Sequence, residues 1–286
     1  MIVRLSGGLG NQFFQYAFGR AYEEKTGEKV SFDTWSFFRD KLRKYELDNY
    51  VIKKGPKRIL RRIVCNIIWE LEIHTKLPNW VDKLMRIEYE REVFIPQLDF
   101  MKDAYAIGFW QNEDYFFKYE AVIRKELVYK GPLSEKQKEI IQEMSLQQAV
   151  AIHIRRTDYL TTGGKKVYEN VDKEYYLAAI EYIAAQLGET PVFYVFSDDI
   201  EWCKKEFRDI ENLIFVDSSI SYNQHTDLEL MRNCKHFIIA NSTFSWWGAW
   251  LSENQQKIVV CPKKWLVNCE ANTKIINALA RNFIQI

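Results

Sequence analysis

The chain has few of the features that mark secreted, membrane-spanning, metal-binding or nucleic-acid-binding proteins. Its five cysteines include no C-x-x-C pair, and their odd number is typical of reduced thiols, so neither a disulfide framework nor a zinc site is indicated. No apolar run is long enough to span a bilayer, and Met1 leads directly into a strand-like segment without a signal peptide. The net charge of +1 disfavours nucleic acid as a partner. We therefore expect a cytoplasmic protein.

What the chain does contain is typical of a large folded α/β protein. Its length of 286 residues suits about two domains, and its aromatic content of 15% argues against disorder. Beyond residue 148, apolar strand-like runs alternate with helical patterns, which predicts a parallel sheet covered on both faces. The predicted strands of this half are 148–154, 192–197, 213–217, 236–240 and 257–261. The first half is less regular, with predicted strands at 2–5, 30–33 and 105–110.

One stretch, AVAIHIRRTDY at 149–159, organises the rest. An apolar run of the kind found in strands buried on both faces ends in Arg155, Arg156 and Asp158. Ligands of open α/β sheets bind at the carboxyl ends of the strands, and guanidinium groups bind phosphate bidentately. Because successive strand residues point to opposite faces, we expect one arginine to face an anion and the other to pair with an acid such as Asp158. A structural arginine–aspartate pair explains the same residues.

Two further turns are suited to an anion. Ser6 to Asn11 is a glycine-rich turn that opens a helix, where backbone amides and the helix dipole favour negative charge. A tight turn that requires positive φ is the alternative. Asn241, Ser242 and Thr243 follow a predicted strand and open another helix, so hydroxyl groups and amides can converge on one phosphate. Simple helix capping is the alternative there.

Asp198 and Asp199 follow the predicted strand 192–197. Paired aspartates suggest a metal site, but here they are adjacent, and one of them can instead cap the next helix. The residues alone leave these alternatives open.

Three motifs together resemble a known family. HIRRTD at 153–158 matches the H-x-R-R-x-D motif of the α1,2-, α1,6- and protein O-fucosyltransferases, where it binds the pyrophosphate of GDP-fucose. GGLGNQFFQYA at 7–17 and NSTFSWWGAWL at 241–251 are similar to stretches of family 11, the α1,2-fucosyltransferases. The motifs occur in family order and span most of the chain.

The resemblance implies an α/β fold of GT-B type with two facing Rossmann-like domains. Residues 1–147 would form the acceptor-side domain and residues 148–286 the domain that binds GDP-fucose, and the last helix can pack back on the first domain. It also implies that neither a metal nor a cofactor is needed, GDP-fucose being a co-substrate. The partners would be GDP-fucose and a galactose-containing glycan.

The reaction implied is inverting transfer of L-fucose from GDP-β-L-fucose to a galactose 2-hydroxyl. Arg155 is the expected catalytic residue, which stabilises the leaving phosphate. An aspartate of the 198–199 pair would contact guanine. The expected donor-binding residues are Gly8, Gly10, Asn11, Gln12, His153, Arg155, Arg156, Asp158, Asp198, Asp199, Ser242, Thr243 and Phe244. No acceptor base is identified, because the stretch where a related subgroup has a glutamate reads TTGG at 161–164.

Two other classes of function stay open from the sequence. The first is another GDP-sugar transferase, or a fucosyltransferase of different linkage, which would keep the arginine motif. The second is a nucleotide-binding protein without catalytic activity.

Residues 53–71 carry a separate pattern. Six basic residues and no acid lie between Lys53 and Arg62, and apolar residues recur at helical spacing through Leu71. Such a helix can lie on an anionic membrane, here at the inner face. An ordinary surface helix packed on the first domain is the interpretation we prefer.

Overall fold

Two parallel sheets organise the chain in the computed structural model, which describes residues 1–75, 78–97, 99–157, 161, 163–188 and 190–286. The chain divides into unit 1, Met1–Lys130, and unit 2, Gly131–Ile286. This division falls before the helix at 135–146, whereas the sequence analysis placed the boundary at 147–148. The last helix belongs to unit 2, and its predicted packing on the first domain stays a prediction. Two units with parallel sheets confirm the predicted α/β class.

Unit 1 is built around a four-stranded sheet. Its described helices and strands are β1 (Ile2–Arg4), α1 (Leu9–Thr26), β2 (Ser31–Asp33), α2 (Ile59–Thr75), α3 (Asn79–Met85), β3 (Ile87–Tyr89), β4 (Tyr105–Ile107) and α4 (Glu120–Glu126). The strand order is β2-β1-β4-β3, and every pair is parallel. The predictions of β1, β2 and β4 are confirmed, and β3 was not predicted.

Polar side chains join the elements of unit 1 at buried positions. Asp33, at the end of β2, accepts hydrogen bonds from Tyr105 Oη at 2.7 Å and from Asn66 Nδ2 at 2.6 Å. The guanidinium of Arg20 on α1 contacts both carboxylate oxygens of Glu126, at 2.8 and 2.9 Å. Buried polar groups are costly unless they are paired, so these contacts fix the positions of α1, α2 and α4.

Unit 2 contains a six-stranded parallel sheet. Its described helices and strands are α5 (Glu135–Leu146), β5 (Ala149–Ile154), α6 (Lys173–Leu187), β6 (Val192–Ser197), α7 (Ile200–Glu206), β7 (Leu213–Phe215), α8 (Gln224–Arg232), β8 (His236–Ile238), α9 (Thr243–Leu251), β9 (Val259–Cys261), α10 (Cys269–Leu279) and β10 (Ile284–Gln285). The strand order is β10-β9-β8-β5-β6-β7. The five predicted strands are confirmed, and β10 is a short additional edge strand.

The central strand β5 is buried on both faces, as its apolar run predicts. Val150, Ile152 and Ile154 share one apolar cluster with residues of α6, among them Tyr176 and Ile183. The alternate residues of β5 point to the other face, where His153 meets α9. The strand is therefore held by a layer of helix on each side, and only its carboxyl end is left for polar chemistry.

The structure contains no helix, within its described residues, that has both the length and the apolar character needed to cross a bilayer.

We predict that Gly55→Ala will destabilise unit 1. A Cβ at Gly55 would lie 1.6 Å from the carbonyl oxygen of Val30, a backbone atom that cannot rotate away. Overpacking of this kind costs about 2–3 kcal/mol of unfolding free energy, which urea denaturation will measure. Gly163→Ala is the matched control, since no described atom lies within 4 Å of the position that its new methyl group would take. Equal midpoints for the two variants would contradict the prediction.

Candidate active site at the carboxyl edge of the second sheet

The candidate site lies where the strand order of unit 2 changes direction. From β5 the chain proceeds to β6 and β7 on one side and then returns to place β8 on the other side. Ile154 is in register with Ser197 of β6, and Ile152 with Ile238 of β8. The carboxyl ends of three strands thus meet at a topological switch point, where open α/β sheets bind ligands. The polar residues after these strands are those of the arginine motif after β5, Asp198 and Asp199 after β6, and the turn 241–243 after β8.

Asp198 holds the arginine turn that follows β5. Its Oδ1 accepts a hydrogen bond from the backbone N–H of Arg156 at 2.9 Å. Its Oδ2 accepts from Thr157, through the backbone N–H at 3.2 Å and Oγ1 at 2.5 Å, and lies 3.3 Å from Arg155 Nε. A carboxylate with four donors from one turn fixes both the backbone and the first guanidinium.

Arg156 lies on the other side of the turn, against α7. Its Nε is 3.3 Å from Asp199 Oδ2, and its guanidinium lies 3.7 Å from the centre of the Trp202 ring. Asp199 also caps α7, because its Oδ1 accepts from the backbone N–H of Trp202 at 3.3 Å. Both arginines are therefore paired with an acid, Arg155 with Asp198 and Arg156 with Asp199, and the expectation that one of them faces an anion stays a prediction. The predicted partner Asp158 lies outside the described residues.

His153 is buried beneath the arginine turn. Its Nδ1 is 2.7 Å from the Ser245 hydroxyl on α9, and its ring packs 5.3 Å from that of Phe244. Burial, reinforced by the positive charge of Arg155, lowers the pKa of His153 to about 3. The imidazole is therefore neutral, and it serves to join the end of β5 to the start of α9 without adding a charge. Direct donor contact by His153 stays a prediction.

The amino terminus of α9 opens at the same edge of the sheet. Ser242 occupies the N-cap position but makes no side-chain capping hydrogen bond within the described residues, contrary to the simple capping alternative for that serine. Thr243 and Phe244 form the first turn, whose amides point out of the helix end. The tryptophans of α9 are buried in the core, and Trp246 donates to the carbonyl of Leu279 at 2.6 Å. The helix end can therefore receive an anion.

The glycine-rich turn of unit 1 follows β1 and leads into α1. Gly7 has a φ of 77°, and a Cβ there would lie 2.6 Å from Asn11 Nδ2, so glycine is required. Gly8 is the N-cap residue, and Gly10 and Asn11 lie in the first turn of the helix. Asn11 Oδ1 accepts from Gln111 Nε2 at 2.8 Å, which links this turn to the end of β4.

Gln12 has a structural role in unit 1. Its side chain is fully buried, and its Nε2 donates to the carbonyls of Gly7 at 3.0 Å and Lys44 at 2.8 Å. Its Oε1 accepts from the backbone N–H of Glu46 at 3.0 Å. Donor binding by Gln12 stays a prediction, and it would require the side chain to leave these partners.

Sequence reasoning did not anticipate two contributors to the site. Trp202 stacks on Arg156, and Ser245 meets His153. Trp202 lies in the first turn of α7 and Ser245 in the first turn of α9. Their position in the first turn of a helix at the site is the only sequence signal that indicated them. Asp227 lies in the first turn of α8, and burial raises its pKa to about 6.

The described residues contain no group of three histidine, cysteine, aspartate or glutamate side chains arranged to hold a metal ion. Asp198 and Asp199 contact amides and guanidinium groups there. That the reaction needs no metal stays a prediction.

Two α/β units with parallel sheets form the architecture of glycosyltransferases of the GT-B type. The sequence profile described as glycosyl transferase family 11 matches residues 1–282. The chain belongs to that family and is a glycosyltransferase.

Named relatives agree with the family. An alpha-1,2-colitosyltransferase of Escherichia coli is 33% identical over 96% of this chain and 94% of its own. The O-antigen biosynthesis glycosyltransferase WbnK of Escherichia coli is 31% identical over 91% of this chain and 93% of its own. Human galactoside alpha-(1,2)-fucosyltransferase 1 is 27% identical over 54% of this chain and 47% of its own.

One solved structure is similar in fold. A mutant of Arabidopsis thaliana FUT1 in complex with GDP superposes with a TM-score of 0.50 and 11% identity, over 91% of this chain and 70% of that chain. This likeness concerns the fold alone.

We predict that His153 makes the stability of the protein depend on pH. Because its folded pKa lies below the unfolded value of 6.5, only the unfolded chain takes up a proton between these two values. Stability is therefore fully present above about pH 6.5 and falls by roughly 1 kcal/mol for each pH unit below it. Urea unfolding at about pH 7.5 and about pH 5.5 will measure the loss.

The variant His153→Gln is the control, because glutamine can bond to Ser245 but does not titrate in this range. It should lose less stability over the same interval. Parallel losses in both proteins would show that His153 is not the titrating group.

Proposed function

We propose that the protein transfers L-fucose from GDP-β-L-fucose to the 2-hydroxyl of a galactose residue, with inversion, in a surface glycan or oligosaccharide. Membership of family 11 and the shared α1,2 linkage in the names of two relatives support this choice. The main observation that supports the proposal is that the arginine turn and the amino terminus of α9 lie together at the switch point of a parallel sheet.

In this proposal Arg155 stabilises the leaving diphosphate. Its guanidinium is oriented by Asp198 at 3.3 Å, so it is held in place before the donor arrives. Ser242, Thr243 and the amides of the first turn of α9 supply further donors from the neighbouring strand end. Negative charge grows on the β-phosphate as the glycosidic bond breaks, and preorganised donors bind that charge more strongly than they bind the ground state.

Arg156 has a different part. Its contacts with Asp199 and with the Trp202 ring hold it on the α7 side of the turn, where it supports the backbone that carries Arg155. One aspartate of the pair, Asp198 or Asp199, was expected to contact guanine, and each of them has partners in the arginine turn. We therefore propose positioning of the arginines as their main role and retain guanine contact as a prediction.

Inversion follows from a single in-line displacement through an oxocarbenium-like transition state. We propose that no metal is required, because Arg155 and the amino terminus of α9 supply positive charge at the diphosphate. The turn at Gly8, Gly10 and Asn11 would bind a ligand in the acceptor-side domain, because the amino terminus of α1 favours a polar ligand. The acceptor base is not assigned.

A second candidate is transfer of colitose from its GDP-linked donor. The relative with 33% identity bears that name, so the donor sugar is the open choice. Colitose is fucose without its 3-hydroxyl, and a site that hydrogen-bonds a hydroxyl rejects an analogue that lacks it.

We predict that Arg155→Ala will lower kcat about a thousandfold while leaving the protein folded, since one preorganised donor contributes about 3–4 kcal/mol to the transition state. GDP release from GDP-fucose, with β-galactosides and EDTA present, measures the rate, and NMR gives the product linkage. Arg155→Lys should recover little, because an ammonium group does not reproduce the bidentate fork.

Arg208→Ala is the matched control, because Arg208 is an exposed arginine in the same unit. It should keep wild-type activity. The assignment of Arg155 fails if Arg155→Ala retains most of the activity.

We also predict that GDP-fucose will be used with a kcat/KM at least about tenfold above that of GDP-colitose. A competition assay with both donors and one β-galactoside acceptor, with products separated by mass, measures the ratio. A higher kcat/KM for GDP-colitose would show that colitose, and not fucose, is the donor sugar. The linkage of the product would then be determined separately by NMR.

A further inference from the structure

Helix α2 has an apolar face that the described part of its own unit leaves exposed. Leu60, Ile67 and Leu71 are spaced by two turns and one turn, so they lie in one row, and their exposures are 77%, 54% and 47%. The opposite face carries Cys65, which is fully buried against the sheet, and Trp69, which packs on the same cluster. Most surface helices are apolar only on the side that faces the core, whereas α2 is apolar on its exposed side as well.

Helix α3 also carries exposed apolar side chains. Trp80 and Leu84 on α3 are exposed by 63% and 70%. Both helices pack on one apolar cluster, α2 through Trp69 and α3 through Met85. Large contiguous exposed apolar patches are uncommon and mark surfaces that bind a partner.

The segment that leads into α2 is strongly basic. The six lysines and arginines between Lys53 and Arg62 are interrupted by no acid. Their described ion pairs join the segment to three carboxylates, on Glu23, Asp48 and Asp103. Positive side chains therefore still outnumber negative ones when these pairs are included.

We propose that this docking face, formed by Leu60, Ile67, Leu71, Trp80, Leu84 and the basic segment 53–62, binds an anionic membrane surface. The apolar row enters the boundary between headgroups and acyl chains, while lysine and arginine side chains contact lipid phosphates. Exposed tryptophan suits this interface, because its ring is apolar and its N–H is polar. A second copy of the chain would bring the same positive charge, so anionic lipid complements the face better.

The test is co-sedimentation of the full chain with vesicles. Vesicles of phosphatidylcholine alone are compared with an equal mixture of phosphatidylcholine and phosphatidylglycerol, at low and high salt. We expect binding to the anionic vesicles, little binding to the neutral ones, and a decrease with salt because the charges are screened. Failure of the wild-type chain to bind anionic vesicles would overturn the proposal.

Two variants identify the surface. Ile67→Ser combined with Leu71→Ser should weaken vesicle binding about tenfold or more, because apolar area is lost from the row. Lys57→Glu should also weaken vesicle binding, because it replaces a positive charge by a negative one. The matched controls are Leu146→Ser, which changes a leucine exposed by 81% on α5 in unit 2, and Lys205→Glu, at an exposed lysine of α7. Both controls should bind like the wild type.

Circular dichroism shows that each variant is folded, and light scattering gives its oligomeric state. The proposal fails if the row variant binds vesicles as the wild type does, or if the controls lose binding equally. It also fails if the wild type is a dimer that the row variant dissociates while vesicle binding is absent. The face would then join two copies of the chain.

Discussion

The candidate site depends on the contacts that the carboxylate of Asp198 makes. This carboxylate lies at the end of β6 and receives two backbone amides and a hydroxyl from the turn after β5, while it also pairs with Arg155. Two adjacent guanidinium groups repel each other, and the fixed Asp198 carboxylate offsets that repulsion and sets the direction of Arg155. Because parallel pairing of β5 and β6 brings Asp198 to this turn, the sheet itself organises the arginines.

The charges around this contact are arranged so that the site is ready for an anion. Asp198 and Asp199 each engage one arginine, and His153 adds no charge because burial lowers its pKa to about 3. The helix dipole of α9 then supplies a fixed positive potential without a side-chain ion. A site of this kind favours charge that develops on a leaving group, since its donors need little reorganisation.

Much of the site was accessible from sequence because its parts are local. Strand β5 shows a buried apolar run, and the two arginines that follow it were identified from the motif at its carboxyl end. The partners were less accessible, since the acids that hold the arginines come from the next strand, and pairing between strands is not a local property. Gln12 was expected at a ligand, yet it is buried against Lys44, whose position depends on an irregular loop.

The sequence by itself determined the α/β class, the strands of the second sheet and the three motifs, because hydrophobic period, turn chemistry and motif spacing are all properties of neighbouring residues. Tertiary structure alone decided that β8 lies beside β5, which brings the α9 terminus to the arginine turn. It also decided that α2 buries Cys65 and leaves Leu60 exposed. The sequence pattern does not show which face is buried, because the apolar residues of this helix occupy both faces. Periodicity shows which residues share a face, but only packing shows which face is covered.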